Sequence, residues 1–289
     1  ITNSTYDGIL YQVETIQKKL KVKHLHFDSA WIPYARFHPI YKGKFGLSLT
    51  PQKEQVIFET QSTHKLLAAF SQSSLIHVKG DFNEHLLNEN YMMHTSTSPF
   101  YPIVASCEVS AAMMEGNQGY FLMQESLQLA MDFRLAIKRL KKQSLNWYFD
   151  VWQPVNAKKI ECFPLKPGEK WHGFKEVSSQ YLCLDPIKVT ILLPGIENEC
   201  LADWGIPAVI VEKFLASHGI IVEKTGPYSM LFLFSLGITR AKSMTLLVAL
   251  NKFKQLYDSN ALVKSVIPQL YKAHPEFYEK MTIQSLAQK

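Results

Sequence analysis

Gln61-Ser62-Thr63-His64-Lys65-Leu66-Leu67-Ala68-Ala69-Phe70-Ser71 sets a lysine among small hydroxyl residues and a histidine. It follows the β-rich run Val56-Ile57-Phe58-Glu59-Thr60 directly and leads into an apolar segment. Burying an unpaired ammonium is costly and depresses its pKa, so lysines stay overwhelmingly at the surface. Two readings fit a lysine at such a strand end. One is a turn lysine that points into water. The other is an amine that is no ammonium at all, because it forms a Schiff base with an aldehyde cofactor.

Composition bounds the class around that stretch. The 289 residues are 47% hydrophobic and 19% charged, enough for a substantial core in one large domain or two smaller ones. Lys+Arg at 31 against Asp+Glu at 25 gives a formal charge of +6, but only Lys138-Arg139-Lys141-Lys142 is a dense basic cluster. At the end of a helix such a cluster reads as a solvated face that complements the helix dipole, not as a nucleic-acid site. Cys107, Cys162, Cys183 and Cys200 are far apart and form no C-x-x-C pair. They read as reduced cytosolic thiols, with no metal implied and a cytoplasmic location expected. The apolar run around Met230 to Phe234 is far shorter than the roughly 18 residues that span a bilayer, so no membrane partner is expected.

In chain order the pattern is α/β. Ile9 to Leu20 has helical spacing, and Val22 to Phe27 reads as a strand that ends on Asp28. Gly43-Lys44-Phe45-Gly46 lacks both the spacing and the Ser/Thr of a phosphate loop. Val56 to Thr60 and Leu75 to Val78 read as strands on either side of the Lys65 turn. Tyr91 to Pro99 reads as a hydroxyl-rich loop before a helix over Ile103 to Met114, which Gly116 and Asn117 would terminate. Hydroxyls at a helix start suit a phosphate, and equally an ordinary cap. A long amphipathic helix follows over Glu125 to Lys142, with a boundary between two units near Gly116 to Leu122. Beyond it, Trp147 to Trp152, Lys188 to Leu193, Ile220 to Val222 and Met230 to Leu236 read as strands. Ala208 to Ala216, Arg240 to Tyr257 and Ala261 to Ala273 read as helices.

Six segments carry a family resemblance in this order and at these separations: His26-Phe27-Asp28-Ser29-Ala30-Trp31, Gln61-Ser62-Thr63-His64-Lys65, His94-Thr95-Ser96-Thr97-Ser98-Pro99, Trp171-His172-Gly173-Phe174, Leu184-Asp185-Pro186 and Val222-Glu223-Lys224-Thr225-Gly226-Pro227. Over essentially its whole length the chain resembles the bacterial pyridoxal-phosphate-dependent lysine/ornithine/arginine decarboxylases, the lysine decarboxylases most closely. The resemblance implies part of an aspartate-aminotransferase-like (fold type I) cofactor domain. Residues 1–115 would be its second half, and 116–289 a smaller α/β C-terminal domain, incomplete at its C-terminus.

The site residues follow from that resemblance. Lys65 matches the lysine that holds pyridoxal 5'-phosphate as a Schiff base, and Asp28 the acid that keeps the pyridinium nitrogen protonated. Ser62 resembles a phosphate-binding hydroxyl, His64 the neighbour that contacts the cofactor and supplies a proton, and Trp31 an aromatic at the pocket. Ser96, between Thr95 and Thr97, resembles the loop that reaches the phosphate across a homodimer interface, within a higher oligomer of the full-length protein. Glu223 is placed against the distal ammonium of a basic amino acid, and Asn3 to Thr5 beside the ring. The implied reaction is decarboxylation of lysine to cadaverine, with ornithine or arginine as alternative substrates. Family members are well over twice as long, so part of the phosphate cup would lie before Ile1, and weak cofactor binding with little activity is expected of these residues alone. Two further readings remain, a catalytically dead piece serving as an assembly module and another fold-type-I enzyme such as an aminotransferase.

Overall fold

A computed structural model of the chain describes residues 1, 3, 7–144, 146–178, 181–197 and 200–288. They form two compact units, Ile1–Ser126 with Glu161–Gly168 and Phe174–Asp185, and Leu127–Ile160 with Glu169–Gly173 and Pro186–Lys289. The architecture is mixed α/β. Its strands are β1 Ile9–Tyr11, β2 His24–Asp28, β3 Val56–Gln61, β4 Leu75–Lys79, β5 Asp150–Val151, β6 Phe163–Pro164, β7 Leu182–Leu184, β8 Lys188–Leu192, β9 Ile196–Glu197, β10 Cys200–Leu201, β11 Lys224–Thr225 and β12 Ser229–Leu233. Among its helices are α1 Val13–Lys19, α2 Thr63–Leu66, α3 Glu84–His94, α4 Tyr101–Met113, α5 Asn117–Gln143, α6 Ala208–Ser217, α7 Arg240–Asp258, α8 Val263–Val266 and α9 Pro268–Ala273.

In the first unit β2 and β3 pair in parallel and β4 pairs antiparallel to β3. Alternation along β2 buries Leu25 and Phe27 and exposes His24, His26 and Asp28. The buried side joins Ile57 of β3, Val13 of α1 and Leu49 in one apolar cluster. Backbone and side chains approach so closely there that a Cβ on Gly46 would lie 2.7 Å from Phe27 Cδ2. A second antiparallel sheet, β1-β7-β6, brings Leu182–Leu184 beside Ile9–Tyr11. In the second unit the antiparallel sheet runs β11-β12-β8-β5. Arg134, fully buried on α5, donates to the carbonyls of Pro186, Trp152 and Lys188 at 3.2, 3.1 and 2.8 Å. One guanidinium thus satisfies acceptors that burial would otherwise leave bare.

Several elements differ from the sequence reading, each for a local reason. The helix expected over Ile9 to Leu20 is the strand β1 followed by the short α1, because Ile9–Tyr11 pair with β7 and Leu10 is wholly buried there. Tyr91 to His94 close α3 instead of forming a loop, and Asn83 caps that helix by accepting from Leu86 N at 2.9 Å. Gly116 does turn the chain, with φ +58°, but Asn117 starts the 27-residue helix α5 instead of ending α4. The expected unit boundary at 116–122 therefore falls inside or beside one continuous helix, and the two units part after Ser126. Ile220 to Val222 form no strand; the pairing begins at Lys224. The single helix expected over Ala261 to Ala273 is α8 and α9, interrupted where Pro268 removes an amide donor.

His38 links the segment after Trp31 to α5. Its Nδ1 accepts from Ile40 N at 3.3 Å, so Nε2 carries the proton and donates to Gln124 Oε1 at 2.9 Å. The ring stacks on Tyr120 with centroids 5.0 Å apart. Burial holds its pKa below the ordinary imidazole value, against the opposing effect of the Gln124 bond. The unfolded chain takes up this proton near pH 6.5 and the folded one resists it. The stability from neutral His38 is thus complete above that pH and is lost as pH falls towards the folded pKa. A His38→Asn variant keeps an acceptor for Ile40 N and cannot titrate. Thermal melts should show the wild-type advantage over this variant shrinking between pH 7.5 and pH 5; an advantage constant with pH would contradict the assignment.

Candidate active site

Parallel pairing puts the C-terminal ends of β2 and β3 side by side, the position at which open α/β sheets gather their ligands. Asp28 is the last residue of β2 and lies in register with Thr60. Ser29 N donates to Thr60 O at 2.8 Å, which extends the ladder past Asp28. The Asp28 backbone is held from its other side, by Ile1 O accepting at 2.9 Å and Asn3 N donating at 2.7 Å. The Asp28 side chain is exposed, and its Oδ1 accepts from Ala30 N at 3.2 Å. That bond shapes the turn that leads to Trp31.

β3 runs straight into Ser62 and the single helical turn α2, in which Lys65 N donates to Ser62 O at 3.2 Å. Lys65 is exposed, and its Nζ stands 5.2 Å from the centroid of the Trp31 ring, a cation–π distance. It forms no ion pair among the described residues, with Asp28 or with any other acid. His64 Nδ1 donates to Ser73 O at 2.8 Å, which leaves Nε2 as the lone-pair nitrogen of the neutral ring. The hydroxyls of Ser29, Thr63 and Ser73 are buried without hydrogen-bond partners. An amine without a counter-ion, a carboxylate without a cation and three unsatisfied hydroxyls near two strand ends suit an aldehyde cofactor with a basic ring nitrogen. The donor set fits pyridoxal phosphate.

Lys65, Asp28, Trp31, Ser62 and His64 therefore lie around one pair of strand ends in the first unit. Ser96 belongs to the same unit but touches none of them: it is exposed in the α3–α4 connection, where its Oγ accepts from Ser98 N at 3.2 Å. Glu223 belongs to the second unit, exposed, with its backbone N donating to Leu231 O at 3.0 Å. Of the segment Asn3 to Thr5, Asn3 is buried, and Ser4 and Thr5 lie outside the described residues. Among the described residues no group of three or more His, Cys, Asp or Glu is placed to hold a metal ion, and no helix is long and apolar enough to cross a membrane. Lys138 and Lys141 of the basic cluster both pair with Asp150.

One anchoring group has no assigned role in the sequence reading. Asp185, fully buried, accepts from the hydroxyl of Tyr34 and, at 2.9 Å, from that of Tyr41. Tyr34 lies in the 3-10 turn Pro33–Phe37, three residues after Trp31, so this carboxylate ties down the segment that carries the ring over Lys65. Burial, and then the charge of Asp185, push both phenols well above their ordinary range. Both hydroxyls stay protonated as donors. The signal available in the sequence was Leu184-Asp185-Pro186 itself, but nothing local pairs it with tyrosines 151 and 144 positions away.

The profile of the Orn/Lys/Arg decarboxylase major domain matches residues 1–242. The chain belongs to the Orn/Lys/Arg decarboxylase family. It is 58% identical over all 289 residues to the inducible lysine decarboxylase of Escherichia coli K12 and 40% identical over 317 aligned positions to the biodegradative arginine decarboxylase of that organism. It superposes on the crystal structure of the Francisella novicida lysine decarboxylase LdcF with a TM-score of 0.97 at 60% identity, covering 100% of this chain and 40% of that one. The chain likewise spans 40% of the Escherichia coli lysine decarboxylase and 42% of the arginine decarboxylase.

The Asp185 anchor generates a direct expectation. Tyr34→Phe and Tyr41→Phe each remove one hydrogen bond to a buried charged group, which costs about 1.5–3 kcal/mol. Urea unfolding should report losses of that order for each variant, and an unchanged midpoint for both would show that Asp185 does not hold this segment.

Proposed function

We propose that these residues form the lysine-bearing wall of a pyridoxal-phosphate site of fold type I, in a cytoplasmic decarboxylase that converts lysine to cadaverine and carbon dioxide. The observation that carries this reading is Lys65: an ammonium without an acidic partner, just past the end of β3, with Asp28, which has no cationic partner, at the end of the neighbouring parallel strand. Lysine is preferred as substrate because the lysine decarboxylase of Escherichia coli is 58% identical and the arginine decarboxylase 40%.

When bound, pyridoxal phosphate supplies an aldehyde and an electron-withdrawing ring on which an amino acid can lose its carboxylate. The chain's own groups do the rest. Lys65 Nζ is the covalent anchor, and the Trp31 face beside it shields that nitrogen from water on one side. The Asp28 carboxylate holds a proton on the ring nitrogen. His64, its Nδ1 fixed by Ser73 O, presents Nε2 for proton transfer, and Ser62 Oγ donates to the phosphate. Glu223 meets the distal ammonium of the substrate.

Titration with pyridoxal phosphate should produce the visible absorption of a covalent lysine adduct in the wild-type protein and not in Lys65→Ala; identical spectra would remove the anchor role. Amine release should run fastest with lysine, ahead of ornithine and arginine. Glu223→Gln should raise KM for lysine about tenfold, the loss of one charge-assisted contact, with a smaller change in kcat. Equal rates on all three amino acids, or on one without a distal amine, would contradict that assignment.

The partner we propose is a second copy of the chain, seated on α3 and α4. No residue of α3 is buried, and α4, although apolar, buries only Ser106 and Ser110 while Tyr101 stands 76% exposed. A contact there would cover Leu86, Met93, Val104 and Val109 and carry Ser96, in the connection between these helices, into the other copy's site. Sedimentation equilibrium should give a dimer for the wild type and a monomer for Val104→Glu/Val109→Glu; a dimer in both would place the interface elsewhere.

A further inference from the structure

We propose that the second unit also contains a binding site for a small amphipathic carboxylate, of the kind presented by a medium-chain fatty acid. The site is the cavity of about 290 Å³ bounded by the α6–β11 connection, the end of β12 and the first half of α7. That size is at the small end of ligand cavities. Its walls are apolar, with Ile220, Phe232, Phe234, Ile238 and Leu246 turned towards it, and no aspartate or glutamate lines it.

The polar groups free to meet a ligand at this cavity are donors. Ser243 is only 8% exposed and lines the cavity; its backbone N donates to Thr239 O at 3.1 Å, and its hydroxyl has no protein partner among the described residues. A hydroxyl on the cavity wall with no protein partner is free to donate to a ligand there. Lys242, adjacent in sequence and also lining the cavity, donates to Gly237 O at 2.9 Å and has two further N–H bonds to give. His218, also in the lining, has both ring nitrogens engaged by the protein: Nδ1 donates to Phe214 O at 2.9 Å, and Nε2 receives Lys252 Nζ at 3.3 Å. Neither lysine has a carboxylate partner among the described residues. An apolar chamber with an ammonium and a free hydroxyl in its lining selects a ligand with an apolar tail and an anionic oxygen head. The same ammonium repels a diamine or a basic amino acid, so this chemistry differs from that expected at Lys65.

Calorimetric titration of the protein with sodium octanoate, octylamine and octanol tests the site. Octanoate should bind saturably, one per chain, with octanol weaker and octylamine giving no binding. Lys242→Met should weaken octanoate about tenfold and Ser243→Ala about threefold, as expected for one charge-assisted and one neutral hydrogen bond. Lys264→Met, on α8 and outside the cavity lining, should leave it unchanged. No saturable heat with octanoate, equal binding of octylamine, or an affinity untouched by both Lys242→Met and Ser243→Ala would overturn the proposal.

Discussion

The parallel register of β2 on β3 is the constraint from which the candidate site follows. Phe27 and Ile57 sink into the cluster with Val13 and Leu49, and strand alternation then leaves Asp28 no face but the open one. A slip of one residue would bury Asp28 and expose Phe27, exchanging several kcal/mol of apolar burial for the desolvation of a carboxylate. The hydrophobic side of the sheet thus holds the chemistry of its other side in place. Because β3 ends one residue after Thr60, the Asp28 partner in the register, the chain turns at once into Ser62 and Lys65.

Positioning then passes to groups distant in sequence. Pairing of β7 with β1 brings Asp185 into the first unit, where two phenols converge on it. Low local dielectric makes such hydrogen bonds strong and makes any unpaired member costly, so the segment from Trp31 to Tyr41 has one favoured arrangement. His38 adds a second attachment from that segment to Tyr120 and Gln124.

Much of this was legible from residue order alone, and the exceptions share a cause. Strands β2, β3 and β4 and helices α4, α6 and α7 have local periodicity and clear stops, and they stand within a few residues of the expected ranges. Ile9–Tyr11 carries helical spacing but pairs with a strand more than 170 positions away, a partner no local window contains. Helix α3 buries none of its residues, so no apolar stripe marks it in the sequence. Lys65 was conspicuous as an odd lysine, yet its exposure and its place over Trp31 depend on a turn geometry that the sequence does not state. Asp185 is conspicuous in Leu184-Asp185-Pro186, but its role requires two tyrosines that only the fold brings to it.

The central claim is that Lys65 is the nucleophilic amine of this site. Incubation with pyridoxal phosphate, reduction with borohydride and peptide mapping by mass spectrometry test it directly. The pyridoxyl group should be found on the peptide that contains Lys65, at one per chain and in preference to the other lysines. Labelling spread over surface lysines, or confined to a different one, would contradict the account.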